Sequence, residues 1–288
     1  MSENYSYSRL ETFKQCPYKY KLIYLDGHYI KSDTITTKFG SLIHKIEEEI
    51  GNSLKEHKEI KYQELISFFD NETLKIKNEF PKDFYEIDKS GRTYEDKALY
   101  YRNEAIYRLE KRVKEDNLEI IACEKEFYLN YKDIIFHGFI DRVLKDKDTY
   151  IIEDIKTYNT KLDKSHLHNP LQFIVYSLAF SSISNNIKCQ YDLPLCECIQ
   201  ECKINNLDLD DILIKINLSD FHPCPSPLCH WCIFSGTFPK QPKETKGLCP
   251  YYSLWTKENK TKEVNIKWQG LKMDKIIVEN FKKSIDLK

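Results

Sequence analysis

The pattern of apolar and polar positions changes period several times along the chain. Residues 134–157, IIFHGFIDRVLKDKDTYIIEDIKT, form two runs rich in β-branched and aromatic residues around Asp146-Lys147-Asp148-Thr149, which predicts a β-hairpin. With those four residues as the loop, Lys145 pairs with Tyr150 and Asp141 falls opposite Asp154. Alternation then puts Tyr150, Ile152, Asp154 and Lys156 on one face, and Ile151, Glu153 and Ile155 on the other. Strand patterns also cover 119–131, 187–191 and 212–218.

Helical periodicity fills the intervening stretches. Ser8-Arg9-Leu10-Glu11 has the form of a capping box for a helix that stops near Cys16-Pro17, where the proline starts a second short helix through Tyr24. Phe39 opens a helix with Leu42, Ile43 and Ile46 on its inner face. Residues 62–117 are helical apart from a polar break at 88–92 that contains Gly91, and 93–114 reads as one long amphipathic helix. In the helix expected over 165–182, Leu171, Ile174, Val175 and Leu178 make an apolar stripe, while Gln172 and Tyr176 lie one turn apart on one face. The tail, 255–288, is basic and expected to be helical at its end.

Composition narrows the class. A chain of 288 residues holds one large domain or two small ones, and 41% hydrophobic with 31% charged residues is ordinary for a globular protein, though 20 Tyr and 15 Phe make it rich in aromatics. The formal charge of −1 means that any nucleic acid is held by a local patch. The first ten residues lack the features of a signal peptide and no apolar run approaches a membrane span, so a cytoplasmic protein with no membrane partner is expected. Ten cysteines in a reducing compartment are better read as thiols or metal ligands than as disulfides. No G-x-x-x-x-G-K-[ST] loop is present, so the chain carries no nucleotide-driven motor of its own.

The hairpin holds the first candidate chemistry. Opposed residues of an antiparallel pair have Cβ atoms roughly 4.5–5.5 Å apart, and two carboxylates at that range repel unless a cation lies between them. Asp141 and Asp154 therefore suit a divalent ion of the Mg²⁺ type that activates a bound water, with Lys156 placed to orient that attacking water or to offset charge on a phosphate. The plainer alternative is a strand pair with a solvated charged face, but aspartate is depleted in strands and both lie inside apolar runs. The second candidate is Cys229-His230-Trp231-Cys232, a C-x₂-C knuckle followed 16 residues later by Cys249-Pro250. Cys196-x-Cys198-x₃-Cys202 matches no common ligand spacing and reads as reduced thiols.

Gly138-Phe139-Ile140-Asp141-Arg142-Val143 and Glu153-Asp154-Ile155-Lys156-Thr157 resemble the G-x-x-D-R-[VIL] and D-x-K-T motifs of the PD-(D/E)XK nucleases. The branch resembled contains the RecB and AddB nuclease domains and the CRISPR-associated four-cysteine exonucleases. Tyr7-Ser8-Arg9-Leu10 to Cys16-Pro17-Tyr18-Lys19-Tyr20 resembles the S-x-L…C-P segment of its iron-sulfur members, Gly40 to His44 its G-x-x-[IV]-H motif, and Gln172 to Tyr176 its Q-x-x-x-Y motif. Glu124 resembles an acidic position of the family, with Glu126 as a rival.

The resemblance implies an α/β, restriction-endonuclease-like fold in which a mixed central sheet is flanked by helices, with a C-terminal cysteine clasp. It implies one nuclease domain over 1–288, with a helical insertion at about 52–117 and an iron-sulfur clasp formed by 5–25 and 221–252. The implied metal ligands are His44, Asp141, Asp154 and the Ile155 carbonyl, for Mg²⁺ or Mn²⁺. Asp141, Asp154, Lys156, Gln172 and Tyr176 would be the catalytic group, and Cys16, Cys229, Cys232 and Cys249 would hold a 4Fe-4S cluster, with Zn²⁺ on the same thiols as the alternative. The extra thiol of Cys224 is a rival for one of these four places. The implied function is a metal-dependent deoxyribonuclease, an exonuclease of recombination and repair, CRISPR adaptation or phage DNA processing. Its partners would be single-stranded DNA or duplex ends and a separate helicase, recombination or CRISPR protein. Two other readings are a non-cleaving DNA-binding subunit and a zinc-stabilised interaction module.

Overall fold

The computed structural model describes residues 4–28, 33–205, 207, 209–224, 226, 228–229, 232–235, 245 and 247–249. Six strands occur among them: β1 (Asn4–Tyr5), β2 (Glu119–Tyr131), β3 (Ile134–Asp146), β4 (Thr149–Ile155), β5 (Ile187–Leu193) and β6 (Cys198–Cys202). The α-helices are α1 (Tyr7–Gln15), α2 (Pro17–Tyr20), α3 (Ile35–Lys55), α4 (Tyr62–Glu79), α5 (Pro81–Tyr85), α6 (Tyr94–Asn103), α7 (Arg108–Glu115), α8 (Leu171–Phe180) and α9 (Asp210–Asn217). The chain divides into two compact units, one of Met1–Tyr7 and Ser32–Asp208, the other of Ser8–Lys31 and Leu209–Lys288.

The first unit is an α/β layer structure built on a mixed sheet. β2 runs antiparallel along the whole of β3, so the other edge of β3 is shared: β1 pairs in parallel at Ile135 and Phe136, and β4 pairs antiparallel at Arg142 to Asp146. β5 lies parallel to β4, with α8 in the connection between them, and β6 closes the sheet antiparallel to β5. On one face α3, α4 and α6 bury Phe39, Ile43, Ile46, Phe69 and Tyr101 against Leu144 and Ile151. On the other, Phe173, Tyr176 and Phe180 of α8 pack on Val143, Ile152, Tyr191 and Leu193. A Cβ on Gly51 would lie 2.3 Å from the Cys123 sulfur, so the missing side chain is what lets α3 lie directly on β2.

The hairpin register is as expected, with Lys145 opposite Tyr150 and Arg142 opposite Glu153. Its loop is shorter than expected: Asp146 pairs with Thr149, and Lys147, at φ 53°, turns the chain with Asp148. Two larger differences have tertiary causes. Residues 212–218 are not a strand, because the buried positions are Leu209, Leu213 and Ile216, at helical spacing, while Ile214 is exposed on α9. The helix expected over 93–114 is broken at Glu104 (φ −131°), where Ala105 and Ile106 turn inward as a 3₁₀ segment before α7 begins. α3 starts earlier than expected, at Ile35, on a reciprocal Thr34–Thr37 capping box, and α8 starts later, after Pro170. β6 was not anticipated, and the tail over 255–288 lies outside the described residues.

In the second unit Cys16 caps α2, its sulfur accepting the Lys19 N–H, and the chain continues as a π-turn through Leu25. Tyr20 stacks on Phe221 at 5.9 Å, joining the N-terminal segment to the segment after α9.

Candidate functional site

The site grows from a local irregularity in the sheet. Cys123 packs against Gly51 of α3, yet Phe127, four residues on, meets Tyr176 of α8 on the other face. Strict alternation would put both on one side. Ile140 and Val143, three apart, likewise share the α8 side. The shift falls at Glu124, which takes φ 45°, and at Asp141, its register partner, where pairing lapses between Cys123–Arg142 and Lys125–Ile140. Irregular residues of this kind re-aim side chains. Here they turn two carboxylates toward α3.

Asp141 lies one position beyond the last β3–β4 pair, and its Oδ2 accepts the Ile155 N–H at 2.6 Å. α3 brings His44, whose Nδ1 is 3.6 Å from the same oxygen and whose ring also bonds the Ile155 backbone. Ligand atoms of His44, Glu124 and Asp141 all lie within 4.8 Å of one another. Asp154 is turned the other way, toward α8: Lys156 Nζ is 2.5 Å from its Oδ2, and Gln172 Nε2 donates to its Oδ1. Gln172 also donates to the Tyr176 hydroxyl at 2.9 Å, and that hydroxyl donates to the Phe139 carbonyl at 2.8 Å.

The electrostatics follow from this crowding. Burial and then Asp154 push the Asp141 carboxyl well above the usual range, against the opposing pull of the Ile155 N–H and Lys156. Glu124 is raised by burial and by Glu48 and Asp154, and burial lowers His44. Burial would push the Lys156 ammonium down, but Asp154, Tyr7 and Asp141 outweigh it and hold the group above its ordinary value, so it is charged at neutral pH. Three acidic groups thus face one ammonium. An oxygen-rich set with one imidazole and an excess of negative charge fits a hard or borderline divalent cation.

The residues expected from sequence as metal ligands or catalytic groups in this unit, His44, Asp141, Asp154, Ile155, Lys156, Gln172 and Tyr176, lie together here. Of the two acidic rivals, Glu124 is at the site, whereas Glu126 is exposed and bonds His137 and the Tyr128 hydroxyl. Two aromatic neighbours were not anticipated. Tyr7 lies edge-on to Tyr176 at 6.0 Å, close enough to Lys156, Asp154 and Asp141 for their charges to act on its hydroxyl, and Tyr191 pairs in register with Asp154 with its ring 5.9 Å from Lys156 Nζ. Nothing local marks either in a chain so rich in tyrosine.

Behind the site, on the α3 side of β3 and β4, Arg142, Glu153, Asp192 and Glu47 form a buried network. Arg142 donates to Glu153 at 2.7 Å, to Glu47 at 3.2 Å and to Asp192; Arg112 donates to both Glu153 oxygens at 2.8 and 2.7 Å, and Arg108 pairs with Asp192. Burial would raise Glu153, yet Arg112 and Arg142 hold it down at about 2.

In the second unit, the Cys224 N–H donates to Cys16 Sγ at 3.4 Å and the Ser226 N–H to Cys229 Sγ at 3.3 Å. Cys232 lies near Cys16, and the Cys249 N–H reaches the Phe234 carbonyl at 3.0 Å. Burial raises the thiols of Cys224, Cys229 and Cys232. His230, Trp231 and Pro250 of the knuckle lie outside the described residues. Among the described residues no cysteine is in a disulfide; Cys189 and Cys202 are buried opposite each other on β5 and β6, and Cys196 and Cys198 pack beside them.

Curated relatives include one subunit of the ATP-dependent helicase/deoxyribonuclease from strains of Clostridium perfringens: that of strain 13 is 31% and that of strain SM101 30% identical over 217 residues, 63% of this chain. The match takes up 18% of those relatives' own length. Among solved structures, a "Putative exonuclease" from Eubacterium rectale aligns over 80% of this chain and 87% of its own, at 13% identity and a TM-score of 0.44. No described helix is long and apolar enough to cross a membrane. Residues 4–193, which carry the sheet, Asp141, Asp154 and Lys156, match the PD-(D/E)XK nuclease superfamily, and the chain belongs to that superfamily.

Proposed function

We propose that the protein is a divalent-metal-dependent deoxyribonuclease that degrades DNA from ends. The observation that carries this reading is the charge imbalance at Asp141, where Glu124 and Asp154 crowd a half-buried carboxylate and His44 supplies an imidazole. His44, Asp141 and Asp154 with the Ile155 carbonyl would hold Mg²⁺ or Mn²⁺, Glu124 adding an oxygen, and the ion would supply a Lewis acid for the scissile phosphate. Lys156, kept charged by Asp154, stabilises negative charge developing on that phosphate. Gln172 fixes the Asp154 carboxylate and Tyr176 ties Gln172 to the β3 backbone, so α8 sets the geometry of the acid–lysine pair.

The cysteines of the second unit we assign to a 4Fe-4S cluster on Cys16, Cys229, Cys232 and Cys249. N–H donors aimed at Cys16 and Cys229 suit anionic sulfur, which supports metal-bound thiolates. Iron, sulfide and zinc analysis of anaerobically purified protein and of its Cys→Ser variants decides between cluster and zinc, and whether Cys224 takes the place of one of the four. The helicase in the name of the clostridial relatives supports a separate helicase partner.

The test is digestion of end-labelled single- and double-stranded DNA by anaerobically purified protein with Mg²⁺, Mn²⁺ or EDTA. Progressive loss of label with metal and none in EDTA is expected. Equal digestion in EDTA, or none with either metal, would overturn the proposal.

A further inference from the structure

The β2–β3 hairpin carries a row of exposed rings that the site does not use. Tyr128 and His137 face each other across the strands, stacked at 4.5 Å with an 11° interplanar angle, and Phe139 meets His137 at 5.6 Å. Tyr128 is 63% and Phe139 47% exposed. Exposed aromatics of this size on a soluble face call for an explanation.

Their arrangement is held rather than accidental. Glu126 accepts from the Tyr128 hydroxyl at 3.1 Å and lies 2.8 Å from His137 Nε2, so one carboxylate ties down both members of the stack. Phe127, between Glu126 and Tyr128, packs on Tyr176, which leaves its neighbours facing away from α8.

The row is continuous with the site. Phe139 is two residues from Asp141, Glu126 two from Glu124, and the Phe139 carbonyl accepts the hydroxyl of Tyr176, which itself accepts from the Gln172 amide. A stacked Tyr128–His137 pair, with Phe139 edge-on at 62° between it and the phosphate-cleaving centre, suits unpaired bases, which have free π-faces; a duplex hides them.

We propose that Tyr128, His137 and Phe139 form a base-stacking track that delivers single-stranded DNA to the Asp141 site. The direction of delivery rests on the nuclease reading, but binding to the track does not need cleavage. It is therefore measured in EDTA, so that an inactive protein would sink that reading and leave this one standing.

The experiment is fluorescence anisotropy with labelled oligothymidylate, its abasic counterpart and a blunt duplex of equal length, on the full chain. Tyr128→Ala and Phe139→Ala should each weaken oligothymidylate binding about fivefold or more, and the double variant further. Tyr128→Phe, which keeps the ring, should stay within about twofold. Abasic and duplex probes should bind more weakly and ignore the substitutions. Melting curves check that each variant is folded. The proposal is overturned if wild-type protein does not prefer the base-bearing strand, if the alanine variants bind it normally, or if they lose abasic binding equally. A change of oligomeric state with unchanged oligonucleotide affinity would make the row a protein contact instead.

Discussion

Asp141 and Arg142 are adjacent on β3, and Asp154 and Glu153 on β4, yet the two charge clusters they join have opposite electrostatics. Behind the site, three guanidinium groups (Arg108, Arg112, Arg142) meet three carboxylates (Glu47, Glu153, Asp192), and Glu153 is held at about 2. At the site, Asp141, Glu124 and Asp154 share one ammonium, and Asp141 is driven up. A buried network whose charges cancel is closed and serves the fold. A cluster that cannot ionise fully without help is open to a cation, and perturbed groups of that kind gather at functional sites.

Four substitutions sharpen the contrast. The largest effect is expected from Asp141→Asn, which should reduce DNA cleavage on the order of a thousandfold, since several kcal/mol of charge stabilisation is at stake. Its melting temperature should hold or rise, because a repulsive charge has been removed; a collapse of the fold would put Asp141 among the structural charges.

Glu153→Ala should do the reverse. Loss of one partner from a buried network costs about 3–5 kcal/mol, read by urea denaturation, because three guanidinium groups are then left with two carboxylates and Arg112 and Arg142 each lose an acceptor. A variant of wild-type stability would show that the buried network does not hold the fold.

Gln172→Ala removes the donor that orients Asp154 and should lower turnover by about 10–100-fold, as for other groups that hold metal ligands. Replacement by Glu should not rescue it, since a carboxylate cannot donate. Smallest of all, Glu126→Gln should change cleavage of duplex ends by no more than about twofold, as an exposed substitution outside the metal cluster. A strong defect there would exchange the roles of Glu124 and Glu126.

The parts of this arrangement that were legible in the chain are those set locally. Turn chemistry and alternation were enough for the Lys145–Tyr150 register and the separation of Asp154 from Glu153, and helical spacing for Gln172 with Tyr176. Where tertiary contacts decide, local pattern misleads. Ile212, Ile214 and Ile216 alternate like a strand, yet burial of Leu209 and Leu213 makes the segment a helix. The left-handed turn at Glu124 leaves no mark, because the residue is not Gly, Asn or Asp. The closed network was equally hidden, since its six members come from α3, α7, β3, β4 and β5, and nothing local shows that Arg108 and Arg112 point inward.

The charge imbalance at Asp141 is tested most directly by calorimetric titration of Mn²⁺ into metal-free wild-type, Asp141→Asn and Glu126→Gln proteins, with no DNA present. Saturable binding at the cluster is expected in wild-type and Glu126→Gln proteins, and its loss in Asp141→Asn. Mn²⁺ bound equally well by Asp141→Asn would contradict a cation site built on that imbalance.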